Sequence, residues 1–141
     1  MIRIPPELSP DPQVRYDAAA ARTVYPAGLF LGLLFALLAL LHPVLVGGEE
    51  GMIMSAVAAV SAVLLLAVAW AARRKTITTN GTLVLVAVFL VLIANSALHL
   101  YLSQEEWQTT NFMLIVIGAG MAIPRTGWNV AITAVMWVSW V

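Results

Sequence analysis

Cysteine is absent from the 141 residues, which excludes disulfides, thiolate metal sites and cysteine nucleophiles. Charge is scarce too. Asp, Glu, Lys and Arg make up 10% of the chain, against about 25% in soluble domains. No basic tail or patch suits a phosphate backbone, so nucleic acid is excluded as a partner. Enzyme signatures are missing: there is no Walker loop, no HExxH and no GxSxG. Gly118-Ala119-Gly120 sits inside an apolar run and lacks the strand–turn–helix setting of a nucleotide loop. The chain itself therefore reads as non-enzymatic, with no catalytic residue, no metal site and no cofactor. Every Asp and Glu lies outside the apolar runs, which weakens a reading as a pump or ion-coupled carrier.

Apolar residues fill the space that charge leaves: 62% of the chain is hydrophobic and the mean hydropathy is +0.95. A soluble fold of this length has too little interior to hide that surface. The lipid bilayer is thus the first partner, and the expected fold class is all-α, a polytopic transmembrane helical bundle of about five spans. The runs lie at about 27–46, 52–72, 83–102, 107–123 and 128–141. At about 1.5 Å of rise per residue, 20 residues cover the ~30 Å hydrocarbon layer. Spans two and three are rich in Val, but barrel strands alternate and run only about 9–11 residues.

Residues 1–25 form a separate polar segment. Pro5, Pro6, Pro10 and Pro12 keep its start extended. Asp11 before Pro12 then makes an N-cap and first-turn pair. Residues 13–24 follow as a short alanine-rich helix, either amphipathic on the membrane surface, with Arg15 and Arg22 reaching headgroups, or a solvated lead-in. Residues 26–141 make up the transmembrane domain, within which Pro43 and Pro124 are expected to stop spans.

Charge is sorted by side. With these spans Arg3, Arg15, Arg22, Arg73, Arg74, Lys75 and Arg125 share one side of the membrane. Glu49, Glu50, Glu105 and Glu106 occupy the other. The positive-inside rule then puts the N-terminus in the cytoplasm. Five spans leave the C-terminus outside, so a continuation with a sixth, returning helix is expected.

Two histidines carry the best local signal. His42 and His99 fall near the outer ends of spans one and three, and Asn95 lies one turn deeper than His99 on the same face. With Glu105 and Glu106 they outline a candidate outer-face polar pocket between those spans, suited to a proton, a metal ion or a polar ligand. The plainer alternative has each His at the interface and Asn95 in an interhelical hydrogen bond worth about 1 kcal/mol. Gly28 and Gly32, continued by Ala36, mark one helix-packing stripe, and Gly118 and Ala122 mark another. Ser55, Ala59 and Ala62 give span two a smooth side. Such stripes serve packing within a bundle or a homodimer contact. Trp70, Trp107, Trp128 and Tyr101 sit near span ends as interface anchors.

The stretch Asn95-Ser96-Ala97-Leu98-His99-Leu100-Tyr101-Leu102, then Trp107-Gln108-Thr109-Thr110-Asn111 and Ile117-Gly118-Ala119-Gly120, resembles the N-terminal multi-pass sensory region of bacterial signalling proteins. In these a diguanylate cyclase or histidine kinase domain follows on the cytoplasmic side. The resemblance covers about the last third of the chain and implies a membrane-embedded sensory and anchor module, with an unknown stimulus and an output domain elsewhere. A small permease, channel or transporter subunit is the alternative.

Overall fold

In the computed structural model, residues 6–77, 80–103, 109–123 and 125–140 are described. A 3-10 turn at Pro6–Leu8 precedes five helices: α1 (Pro12–Leu45), α2 (Gly48–Arg73), α3 (Gly81–Ser103), α4 (Thr109–Ala122) and α5 (Thr126–Trp140). The protein is all-helical among the described residues. Three of these helices, α1 to α3, are long and apolar enough to cross a membrane. As described, α4 and α5 have 14 and 15 residues, about 21–23 Å of helix.

The sequence divides residues 13–24 from the first apolar run, but the structure joins them. α1 is one 34-residue helix that passes through Pro26 and Pro43. Asp11 caps it as expected, its carboxylate accepting from the Gln13 N–H at 2.8 Å. Pro26 lacks the N–H that would bond the Arg22 carbonyl, a loss that alone favours a break. Packing on both sides holds the helix in line: Val24 is buried in the core shared with Leu85 of α3, and Gly28 lies against Leu65 and Ala69 of α2. Residues 20–24 therefore belong to the bundle rather than to a detached surface helix. Pro43 does not stop the helix either, since the Val46 N–H still reaches the His42 carbonyl at 3.0 Å.

α1 and α2 form an antiparallel hairpin, turned by Gly47 and Gly48, both at positive φ where a Cβ is disfavoured. The buried positions of α2, Gly51, Met54, Ala58, Ser61, Ala62, Leu65 and Ala69, follow a three-four spacing that keeps one stripe on its partner. Ala59 is exposed, so the smooth side of α2 runs through Ala58 and Ala62 instead. α2 ends where Lys75 turns left-handed; the Thr76 hydroxyl and N–H both go to the Ala71 carbonyl.

α3 is the central helix and touches all four others. One face joins Phe35, Ala58, Ala62 and Leu65 through Val88. The other carries Leu85, Val86, Phe89 and Ile93 into a core with Ile115 and Ala119 of α4 and Ile132 and Met136 of α5. Outward faces stay apolar, with Phe30, Leu40, Val60, Met121 and Val138 exposed. That surface suits lipid.

Candidate functional site

The end of the bundle that carries the α1–α2 turn brings two histidines together. His42, in the last turn of α1, and His99, one turn before the end of α3, meet ring to ring. Their Nε2 atoms lie 2.8 Å apart, with ring centroids at 4.7 Å and planes inclined by 49°. That separation is a hydrogen bond, in which one ring must donate and the other accept. His42 is 5% exposed, and its Nδ1 is buried without a hydrogen-bond partner among the described residues. Gly51 of α2 is backed against the His42 carbonyl, and a Cβ there would come within 2.9 Å of that oxygen. The fit between α1 and α2 thus fixes how far His42 can withdraw from α3. A cleft of about 420 Å³ opens beside it, lined by Val46, Gly47, Gly48, Glu49, Glu50 and Ile53.

Asn95 lies one turn below His99 and is buried, but it faces α2 rather than the histidines. Its Nδ2 donates to Ser61 Oγ at 2.6 Å and to the Val91 carbonyl at 3.3 Å. Ser61 in turn donates to the Val57 carbonyl at 2.9 Å. Nearer the turn, Ser55 Oγ donates to the Ala39 carbonyl at 2.6 Å, tying α2 to α1. The expected pocket is therefore divided. His42 and His99 are brought together, whereas Asn95 belongs to a separate α2–α3 contact. Glu105 and Glu106 lie outside the described residues. Ser61 was not singled out from the sequence; the available signal was that it is one of only two hydroxyls in the second apolar run.

The packing residues also separate. Gly28 and Gly32 lie under α2, where an added Cβ would meet Leu65 O at 3.0 Å and Leu66 Cγ at 2.7 Å respectively. Both therefore serve contacts within the chain. Gly118 faces Phe89 at ordinary contact distance, and Ala122 packs on the α3–α5 core.

At the opposite end, Asp17 of α1 accepts the Thr82 N–H at 3.2 Å and so caps α3 from another helix. Gly81 is pressed on the backbone of Asp17 and Ala21. The Arg74 guanidinium stacks 4.8 Å from the Trp70 ring centroid. Among the described residues no cluster of three or more His, Asp or Glu is placed to hold a metal ion.

No protein family, curated protein or solved structure matches this chain. The functional reading accordingly rests on the geometry and on the sequence.

Proposed function

We propose that the chain is the membrane-embedded sensory and anchor module of a bacterial signal-transduction protein. In this reading it spans the inner membrane five times from a cytoplasmic N-terminus, and its output activity resides in another domain. The observation that carries it is the part-buried His42–His99 contact between α1 and α3, at the end bearing Glu49 and Glu50. A stimulus acts on a bundle only if it binds two packings with different affinity. An imidazole pair near the water interface offers such a difference, because its hydrogen bond depends on protonation and on what else reaches the nitrogens. The Asn95–Ser61 and Ser55–Ala39 contacts use hydroxyl, amide and backbone groups, which have no such dependence near neutral pH.

The test is made in the host membrane with His99→Ala in the intact protein. The variant inserts normally and blunts the change in cyclic-dinucleotide level or response-regulator phosphorylation on a change of external medium. An unaltered response from a normally inserted variant removes the sensory reading of this site.

A further inference from the structure

We propose that His42 and His99 together form a binding site for one proton, whose further protonation separates the ends of α1 and α3. The inference rests on the sensory reading for its biological meaning, while its physical content is measured independently of any output.

Consider the protons on the four ring nitrogens. At an Nε2–Nε2 separation of 2.8 Å only one hydrogen fits between the rings. In the neutral pair the donor ring carries it on Nε2 and keeps a lone pair on Nδ1. The acceptor ring offers its Nε2 lone pair and is protonated on Nδ1. One proton taken from water goes to the donor ring's Nδ1 and leaves the bridge intact, now charge-assisted. A second has only the acceptor ring's Nε2 left to occupy, the atom that accepts the bridge. Two N–H groups on two cations would then face each other, and the contact opens.

Among the described residues, the titratable groups on the packed elements add no cation beside the pair. α1 carries Tyr25 and His42 beyond Arg22. α2 contributes Glu49 and Glu50 in its first turn and Arg73 at the far end, while α3 contributes His99 and Tyr101. α4 and α5 have no titratable side chain, and Glu105 and Glu106 lie in the undescribed α3–α4 connection. Glu49 and Glu50 at this end favour positive charge on the pair. A metal ion is the competing ligand for converging imidazoles; with no third ligand among the described residues, the proton is the better fit.

The absence of cysteine makes the experiment direct. Val44→Cys on α1 and Tyr101→Cys on α3 replace side chains that are 81% and 77% exposed. Both are spin-labelled, and their separation in lipid nanodiscs is followed from about pH 8 to about pH 4, which brackets histidine titration. The distance is expected to lengthen on acidification by about 2 Å or more, the scale of helix shifts at switching interfaces. The step disappears in His99→Gln, and zinc ion alone at neutral pH leaves the distance unchanged. A wild-type distance constant over the whole range overturns the proposal without requiring any variant to fold. So does an undiminished step in a folded His99→Gln protein, or a saturable response to zinc. A pH-dependent distance in a protein whose signalling output ignores external pH would overturn the sensory reading and leave the proton site standing.

Discussion

A hydrogen bond between side chains inside lipid is worth less than its isolation suggests, because the separated helices also find partners. Asn95 and Ser61 test that point. Asn95→Ala removes the donor from Ser61 Oγ, yet Ser61 keeps its own bond to the Val57 carbonyl, so no buried hydroxyl is orphaned. We expect a loss of about 0.6–1.7 kcal/mol in an unfolding equilibrium measured in bilayers or mild detergent. A double-mutant cycle with Ser61→Ala should return most of that as coupling; additive single effects would show that the 2.6 Å contact contributes no net attraction. The same pair shows how far residues were legible in the sequence. Asn95 stands out as polar in an apolar run, and helical spacing puts it near the face of His99. Which neighbour it meets depends on the rotation and register of α2 against α3, which no single-helix pattern contains. His42 and His99 were expected at one end of one pocket for a simpler reason: both sit at helix ends on parallel helices, where span lengths alone fix their depth.

Elements are set against one another by the smallest side chains, and a Cβ added at different glycines should have graded effects. At Gly81 it would run into the backbone of Ala21 and Asp17, atoms that cannot rotate away. We expect Gly81→Ala to destabilise by about 1–3 kcal/mol, the range for overpacking, and to weaken the Asp17 cap on Thr82. At Gly32 the obstacle is the Leu66 side chain, which has other rotamers, so Gly32→Ala should cost less. Gly120 has nothing within 4 Å, and Ala there should be neutral or stabilising by up to about 1 kcal/mol through helix propensity. Thermal unfolding of the three variants in one detergent gives the order; an equal loss at all three would deny Gly81 its special contact. The Gly28–Gly32 stripe was readable from its spacing, whereas Gly81 resembled an ordinary Asn-Gly turn because its partner is 60 residues earlier. Continuity of α1 was hidden for a related reason: Pro26 is a local stop signal, overridden by packing on α2 and α3.

The Pro6–Leu8 turn is fastened to α1 by an ion pair between Glu7 and Arg22. The Glu7 carboxyl is held below its ordinary value of 4.5, first by its own backbone N–H; desolvation opposes this, and the hydrogen bond and charge of Arg22 lower it further. A depressed carboxylate contributes its contact fully above the unfolded value and loses it as pH falls through the folded one. The turn should therefore stay docked at neutral pH and release only under acid conditions below the usual carboxylate range. Protease cleavage near Leu8, compared with Glu7→Gln across that range, checks the sign. Both side chains are well exposed, so release of the turn should leave the melting of the bundle almost unchanged.

For the whole molecule, the decisive quantity is which end of the bundle faces the cytoplasm. Apolar runs made α1 to α3 legible as candidate spans because the surface required by lipid is written directly into composition. Orientation enters only through charge. Arg73, Arg74 and Lys75 close α2 at the same end as Arg15 and Arg22 of α1, and Glu49 and Glu50 open α2 at the other. Basic residues near span ends resist translocation, and acidic ones count for little. A reporter active only in the cytoplasm should therefore work when fused after Arg74 and fail when placed in the Gly47–Gly48 turn, and a periplasmic reporter should do the reverse. Replacing Arg73, Arg74 and Lys75 together by Gln should reduce the contrast, since Arg3, Arg15, Arg22 and Arg125 would then be left to hold the orientation. Periplasmic activity at Arg74 in the unaltered protein would turn the bundle over. The histidine pair would then face the cytoplasm, and a proton arriving there would report the state of the cell rather than that of its surroundings.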